Sequence, residues 1–392
     1  MSHSEIRFAF LNIGHFLDHF FMLIFATAAA LRLSREWGLS YSELIPYATP
    51  GFIAFGVCAI PAGWLADRWS RNGMIAIFFI GIGLSSIYSG FSHSPFQIGV
   101  GLALVGVFAA IYHPVGLSMV VEGRSNTGVR LAINGIFGNM GVASAALVTA
   151  FLIDTVGWRS AFIGSGVFSV VLGLLFLVFL RNEQASRIAS PESAAVRSSS
   201  ENSLSHLPSS AVIRVVIVIF ITTALGGLVF QSTTFALPKV FDERLEFLAS
   251  NATDIGLYAF VVFSVASFAQ LLVGVLVDKY PLKLVFGAVA VLQVVFFGLM
   301  IPLSGWAALV ASIGFMLAVF GQIPINDVLV GRLASSEWRS RAFALRYLVT
   351  FSVMASAVPL IAWIHSRWGF SVLFQFLASV AFLILLVVMF LP

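Results

Sequence analysis

Charged side chains are scarce in this chain of 392 residues, since Asp, Glu, Lys and Arg together make up only 10% of it. A soluble domain of average composition carries about 25% charged residues. Hydrophobic residues reach 59% and the mean hydropathy is +1.01. This composition excludes an ordinary soluble protein. The apolar runs are too long and continuous for barrel strands, so the sequence predicts an all-α membrane protein.

Cysteine is almost absent as well. The single cysteine, Cys58, lies inside an apolar run, which excludes an internal disulfide and a cysteine metal site. The sequence also lacks a phosphate-binding Gly-x-x-x-x-Gly-Lys-Ser/Thr loop, so ATP is not the direct energy source. No nucleophile constellation indicates an enzyme, and we expect no cofactor and no nucleic-acid partner. The net charge of +4 instead reflects basic loops.

Twelve apolar stretches are long enough to cross a bilayer. They lie at 6–31, 44–66, 73–91, 95–119, 129–153, 160–180, 212–237, 253–277, 282–301, 305–330, 340–364 and 370–391. An even number of spans places both termini on one side. Most of the 21 lysine and arginine residues fall in loops of that side, which predicts cytoplasmic termini in the cell (inner) membrane.

A polar, serine-rich segment interrupts the apolar pattern at residues 181–211. Such a segment cannot bury enough apolar surface to fold alone, so we interpret it as a flexible cytoplasmic linker. It separates a predicted six-helix bundle at 1–180 from a second at 212–392. A duplicated bundle with its binding site between the halves is a known transporter architecture.

A short loop pattern occurs once in each half. Between spans 2 and 3, a glycine stands four residues before an aspartate, and basic residues follow. The residues are Gly63, Asp67, Arg68 and Arg71 in the first copy and Gly274, Asp278 and Lys279 in the second.

This pattern resembles the loops between helices 2 and 3 and between helices 8 and 9 of the major facilitator superfamily of membrane transporters. The resemblance implies twelve helices in two pseudo-symmetric six-helix bundles, and transport by alternating access. It also implies a latch, in which Asp67 contacts helix 11 near Ser340 and Asp278 contacts helix 5. The alternative is that both loops serve only as basic topology anchors.

The first span carries Asn12, His15, Asp18 and His19 on one helical face. Ionisable groups at membrane depth are costly, so this face should line a cavity, with a buried structural network as the alternative. We predict that Asp18 is the main proton-coupling group and that both histidines tune it. His15 and His19 are spaced to chelate a metal together with Asp18. Because span 1 offers no further ligand, we assign no metal.

Further polar residues occur at membrane depth in other spans. His113 in Tyr112-His113-Pro114 and Asn139 in Gly138-Asn139-Met140-Gly141 resemble motifs of the fosmidomycin-resistance-like branch of the superfamily. We also assign to the cavity Gln231 of span 7, Gln322, Asn326 and Asp327 of span 10, and Arg346 of span 11. Asp327 and Arg346 fall at similar depth and are predicted to form an ion pair.

The sequence therefore predicts a monomeric secondary transporter that moves a small organic molecule, with protons as the coupling ion and export ahead of uptake. A carrier for a transition metal ion or metal chelate remains an alternative because of the histidines of span 1. A lipid flippase remains a second alternative, because lipids and drugs can share the same kind of apolar cavity.

Overall fold

The computed structural model describes residues 2–122, 127–189, 209–333 and 339–391. The side chains of residues 127, 185–189, 209–213, 327, 330–333 and 339–348 lie outside this description. Within these ranges, eleven helical stretches are long and apolar enough to cross a membrane. The last of them, Val349–Val388, contains Gly369 at φ 71° and ψ −171°, which is not helical. It is therefore two spans joined at one glycine, and the prediction of twelve helices is confirmed.

The helices follow the chain in order from α1 to α12. Their bounds are α1 His3–Trp37, α2 Tyr41–Arg68, α3 Arg71–Gly90, α4 Pro95–Val121, α5 Thr127–Thr155, α6 Trp158–Ala189, α7 Ser209–Arg244, α8 Ala252–Lys279, α9 Leu282–Met300, α10 Gly305–Leu333, α11 339–368 and α12 370–388. We call the end of the bundle where α1 passes into α2 the distal face, and the opposite end the terminal face.

The helix ends next to the predicted linker are longer than the hydropathy indicated. α6 continues to Ala189 and α7 begins at Ser209, so both ends of the 181–211 segment are helical, and residues 190–208 lie outside the described part. The extension of α6 has a partner, because Arg7 of α1 forms an ion pair with Glu183. Hydropathy cannot register this polar extension, since it reports only the part of a helix that suits lipid.

α7 likewise continues past its predicted end at 237 and through Pro238 to Arg244. Lys239 pairs along the helix with Asp242 at 2.5 Å and with Glu243 at 3.6 Å. Arg244 donates hydrogen bonds to the carbonyls of Met300, Ile301 and Leu303, and it thereby caps the end of α9. Residues 238–244, which follow the predicted end of span 7, are therefore the last turns of this helix.

α1 is buried on almost all sides. Its polar residues Asn12, His15 and Asp18 and its apolar residues Leu17 and Phe21 are all less than a tenth exposed. A membrane helix can carry polar groups in this position because protein, not lipid, surrounds them. α1 packs along α5, and α3 packs along α6. This places the polar face of α1 inside the first group of six helices.

The two groups of six helices meet at the distal face through hydrogen bonds. The Asp154 carboxylate at the end of α5 accepts bonds from the backbone N–H (2.7 Å) and the hydroxyl (2.6 Å) of Thr253 on α8. The hydroxyl of Ser42 on α2 lies 2.9 Å from Nδ1 of His365 on α11, and Nε2 of His365 lies 3.0 Å from Glu243. These contacts hold the halves together at the distal ends of α2, α5, α8 and α11.

Candidate functional site

Four ionisable side chains lie together in the interior, and we call them the histidine–aspartate cluster: His15, Asp18, His19 and His113. Asp18 is fully buried, and its Oδ2 lies 3.4 Å from Nε2 of His113. The ring of His15 is 5.0 Å from that of His19 and 5.4 Å from that of His113, measured between centroids. The structure thus adds His113 of α4 to the three residues that the sequence placed on one face of α1.

An irregular turn of α4 brings His113 to this position. Residues Tyr112–Gly116 form a π-helical turn that contains Pro114. Proline has no N–H to donate, so it disrupts the regular hydrogen bonding of a helix, and π-helical turns often occur at functional sites. Gly63 of α2 faces this turn, where an added Cβ would lie 3.3 Å from Pro114. The first loop glycine therefore permits a close approach of α2 to α4, whereas a Cβ on Gly274 would meet no atom within 4 Å.

A hydrogen-bond network fixes the orientation of His15. Its Nδ1 lies 2.8 Å from the carbonyl oxygen of Asn134, and its ring stacks on Tyr112 with centroids 4.9 Å apart. The Asn134 amide donates to Oδ1 of Asn12 at 2.9 Å, and the Tyr112 hydroxyl donates to the carbonyl of Leu11 at 2.6 Å. Because a carbonyl only accepts, Nδ1 of His15 carries the hydrogen and Nε2 keeps a free lone pair.

The sequence reasoning missed Asn134 and Tyr112. Asn134 is completely buried, yet one asparagine within an apolar span is as typical of interhelical hydrogen bonding as of a functional site. Its position one helical turn before Gly138 was the available signal. A Cβ on Gly138 would lie 2.7 Å from Nε2 of His15, so this glycine leaves the space that the imidazole ring occupies. The predicted Asn139 is buried beside it, and its Nδ2 has no hydrogen-bond partner within the described part.

Aromatic rings from both halves cover the cluster. Phe55 of α2 lies 5.7 Å from the ring of His113, and Phe351 of α11 lies 5.5 Å from it. Phe55 and Phe351 contact each other edge to face at 4.6 Å. The cluster therefore lies next to the contact between α2 and α11, where a movement of one half against the other would change its surroundings.

The second half contains a separate network of uncharged polar side chains. Gln293 donates to Oε1 of Gln322 at 2.8 Å, and Gln322 donates to the carbonyl of Thr222 at 3.3 Å. The Thr222 hydroxyl lies 3.3 Å from Oδ1 of Asn326. The structure thus joins the predicted Gln322 and Asn326 to Gln293 and Thr222, which the sequence analysis did not single out. The predicted Gln231 is 2% exposed, and its Nε2 has no hydrogen-bond partner among the described residues.

The predicted loop residues lie away from this interior. At the terminal face, Asp67 pairs with Arg71 at 3.0 Å, and Arg71 lies 3.4 Å from Glu122 at the end of α4. The expected contact of Asp67 with helix 11 near Ser340 falls on side chains outside the description, as does the predicted pair of Asp327 and Arg346. Both contacts stay predictions.

The second loop copy makes fewer side-chain contacts than the first within the described part of the chain. Asp278 is exposed, and it has no hydrogen bond or ion pair within the described part of the chain, where its expected contact with helix 5 is also not found. Lys279 is exposed as well. Arg68 lies over the ring of Trp64 at 5.2 Å, a contact of ordinary surface character.

The cluster can exchange protons and can accept hydrogen bonds from a ligand. Both carboxylate oxygens of Asp18 are buried without a hydrogen bond, and Nε2 of His15 likewise has none in the described structure. Buried polar groups in native proteins are nearly always hydrogen-bonded, so a group that is not indicates a functional role. His113 is partly exposed, and the cluster is therefore not completely enclosed.

Sequence comparison relates the chain to membrane transporters. The family profile of the Major Facilitator Superfamily matches residues 11–252. A gallate transporter of Pseudomonas putida is 28% identical over 165 residues, which is 42% of this chain and 36% of the relative. A 4-hydroxybenzoate transporter of Pseudomonas putida is 27% identical over 150 residues, which is 38% of this chain and 34% of the relative. The chain thus spans only about a third of the length of these curated relatives.

Structural comparison covers the whole chain. The crystal structure of a D-xylose–proton symporter matches with a TM-score of 0.76 and 14% identity, over 100% of this chain and 98% of the symporter. An inward-facing bacterial homologue of the human lysosomal transporter Spinster matches with a TM-score of 0.74 and 13% identity, over 100% and 95% of the two chains. At these identities the likeness establishes the twelve-helix fold alone.

Proposed function

Because the chain belongs to the major facilitator superfamily, we propose that it is a secondary active transporter that moves a small organic acid by alternating access. The proposed driving force is a proton gradient. The proposed location is a bacterial inner membrane, with both termini in the cytoplasm because most basic residues lie in loops of the terminal face.

The observation that supports proton coupling is the burial of Asp18. A carboxylate at membrane depth is costly, and such groups mark ion and proton pathways in membrane proteins. Asp18 is fully buried, and the nearest ionisable partner is His113 at 3.4 Å. A pair that can share one proton, placed beside the contact between α2 and α11, is suited to exchange that proton when the halves move. The proposal assigns the coupling proton to Asp18.

The proposed substrate class follows from the relatives. They are described as transporters of gallate and 4-hydroxybenzoate, and a further relative is a probable L-galactonate transporter of Escherichia coli. These three compounds are hydroxylated carboxylic acids. Nε2 of His15 is an acceptor that a substrate hydroxyl could satisfy, and the rings of Phe55 and Phe351 lie close by. None of these three relatives is described as a metal carrier or a lipid flippase, and the direction of export stays a prediction.

A counterflow assay tests the proposal. Proteoliposomes loaded with one unlabelled compound are diluted into a trace of the same compound in labelled form, and 4-hydroxybenzoate, gallate, galactonate and D-xylose are compared. We expect labelled uptake for at least one of the acids and none for the neutral sugar. Exchange of D-xylose alone would contradict the organic-acid assignment. Absence of exchange for all four, with folded protein, would contradict the proposed function.

A further inference from the structure

The three histidines of the cluster have the geometry of a metal site. One ring nitrogen from each of His15, His19 and His113 can be chosen so that all three lie within 4.8 Å of one another. Ligand atoms at 2.0–2.1 Å around a tetrahedral zinc ion are about 3.3 Å apart. Side-chain rotations that move the ring nitrogens by about an ångström would therefore bring all three within bonding distance of one ion. The pair on α1 is four residues apart, which lets two imidazoles of one helix share an ion.

His15 is already oriented as a metal ligand would be. Histidines that bind metals usually donate their second ring N–H to a carbonyl or carboxylate, which fixes the tautomer and raises the basicity of the ligating nitrogen. Nδ1 of His15 makes this bond to the Asn134 carbonyl at 2.8 Å. Nε2 consequently keeps a lone pair without a hydrogen bond in the described structure, on a side chain only 7% exposed.

A carboxylate lies beside the three histidines. Asp18 follows His15 by one turn and precedes His19 directly, and its Oδ2 is 3.4 Å from Nε2 of His113. Neither carboxylate oxygen has a hydrogen bond within the described structure, and neither does Nε2 of His15. A buried polar group without a partner costs about 1–3 kcal/mol. A cation held by the three histidines would bind the lone pair of His15 and would place a positive charge near the Asp18 carboxylate.

We propose that His15, His19 and His113 bind one divalent first-row transition metal ion such as Zn²⁺, Co²⁺ or Ni²⁺, with the Asp18 carboxylate beside His113 as a nearby counter-charge. Three imidazoles suit these ions, whereas Mg²⁺ and Ca²⁺ require sites made mainly of oxygen. The one carboxylate also offsets part of the charge of the ion in this interior. The site ties α1 to α4. It shares His15 and the surroundings of Asp18 with the proposed transport site, but binding of an ion goes beyond the proposed transport and is measured without it.

The test measures binding to purified protein that carries an affinity tag without histidine. The protein is stripped with chelator and dialysed against Zn²⁺, and the bound metal is counted by elemental analysis. We expect one ion per chain in the wild type, with an affinity that falls by more than about a hundredfold in His19→Gln and His113→Gln. The matched control is His365→Gln, because His365 bonds Ser42 and Glu243 at the distal face and lies outside the cluster.

Co²⁺ provides a second readout that reports coordination directly. Tetrahedral Co²⁺ gives visible absorption bands, and we expect them in the wild type and in His365→Gln but not in His19→Gln. Elution of each variant as a single species in size-exclusion chromatography establishes folding. Equal Zn²⁺ binding in all four proteins, or no binding in the folded wild type, would overturn the proposal. Neither result would bear on the counterflow of organic acids.

Discussion

At the scale of single residues, the interior of the first half is built around one buried carboxylate. Asp18 faces His113 across the contact of α1 with α4, while the backbone of α5 holds His15 through Asn134. Each of three helices therefore contributes one group: α1 contributes Asp18, α4 contributes His113, and α5 contributes the Asn134 carbonyl that holds His15. An amide network of Asn12 and Asn134 stabilises this arrangement from the side. The carboxylate is the group in the cluster whose charge is most costly to bury and whose replacement is most informative.

Asp18→Asn should abolish accumulation driven by a proton gradient and leave ligand binding and some exchange in place. The amide keeps the shape of the side chain but cannot release a proton. The measurement is substrate-induced proton flux in proteoliposomes, compared with wild type. Asp242→Asn is the control, since Asp242 pairs with Lys239 near the distal end of α7 and should not affect coupling. A mutant with the wild-type ratio of protons to substrate would rule out Asp18 as the carrier, and His113 would be tested next.

Sequence analysis found the members of the cluster on α1 because helical spacing places them on one face. It could not find that His113 faces Asp18, since that contact depends on how α4 packs against α1 and on the π-helical turn at Tyr112–Gly116. Asn134 was missed for a similar reason. Its contact with His15 is made by its backbone carbonyl, and every residue type has a backbone carbonyl, so the sequence cannot indicate this contact.

At the scale of helices, the contact of α1 with α5 depends on small residues. A Cβ on Gly141 would lie 2.1 Å from the carbonyl oxygen of Phe16, which is backbone and cannot rotate away. Small residues at such positions allow helices to approach closely where no hydrophobic driving force exists between them. The spacing of Gly138 and Gly141 on α5 therefore sets the distance at which α1 presents its polar face.

Gly141→Ala should destabilise the protein by about 2 kcal/mol or more, because α1 and α5 must separate to admit the methyl group. Thermal unfolding in detergent should show a midpoint several degrees lower than that of the wild type. Gly128→Ala is the matched control at the start of the same helix, where an added Cβ meets nothing within 4 Å. Equal midpoints for the two variants would show that the α1–α5 distance is not set by this glycine.

The loop between α2 and α3 provides a second prediction at this scale. Asp67→Asn should slow transport several-fold while leaving insertion and stability close to wild type. The pair with Arg71 is exposed, and such pairs contribute at most about 1 kcal/mol to stability. A loss of turnover would therefore come from a contact made in another conformation, as the latch hypothesis requires.

Transport rates at equal expression measure this effect, with Asp278→Asn as the comparison. That change should do less, because Asp278 has no ion pair in the described structure and Gly274 makes no close approach. Wild-type rates for Asp67→Asn would leave the topology anchor as the remaining explanation of the loop.

At the scale of the whole molecule, hydropathy was sufficient to locate all twelve spans, because the thickness of the bilayer fixes how long an apolar helix must be. It misplaced helix ends wherever polar residues continue a helix beyond lipid, as at Arg244 and Ala189. The contacts between halves were not predictable. These contacts join residues far apart in the chain, Ser42 with His365 and Asp154 with Thr253. The residue type of a single polar residue at a helix end does not indicate which residue it contacts.

Asp154→Ala should shift the population towards conformations open at the distal face. It removes two hydrogen bonds to Thr253, and bonds to a charged acceptor contribute about 1.5–3 kcal/mol each. The reporter is Tyr41→Cys in a chain with Cys58→Ala, because Tyr41 is 4% exposed and its ring lies 5.4 Å from that of His365. Its labelling by a membrane-impermeant maleimide should accelerate about tenfold or more.

Asp254→Ala provides the control for this experiment, because the Asp254 carboxylate bonds only the nearby Ser250 within the described structure. Its labelling rate should match that of the parent chain. If Asp154→Ala also labels at the parent rate, the hydrogen bonds to Thr253 do not hold the distal face closed.

The burial of α1 on all sides has a consequence for how the protein is made. α1 leaves the ribosome before α4 and α5, yet the residues that accommodate its polar face, Asn134 and His113, are synthesised only with those later helices. An aspartate at the centre of a helix costs about 2.5–3.5 kcal/mol on scales of membrane insertion, and α1 adds two histidines and an asparagine to that cost. During synthesis, α1 is therefore a poor free-standing membrane helix, and its stable integration depends on the arrival of α4 and α5 beside it.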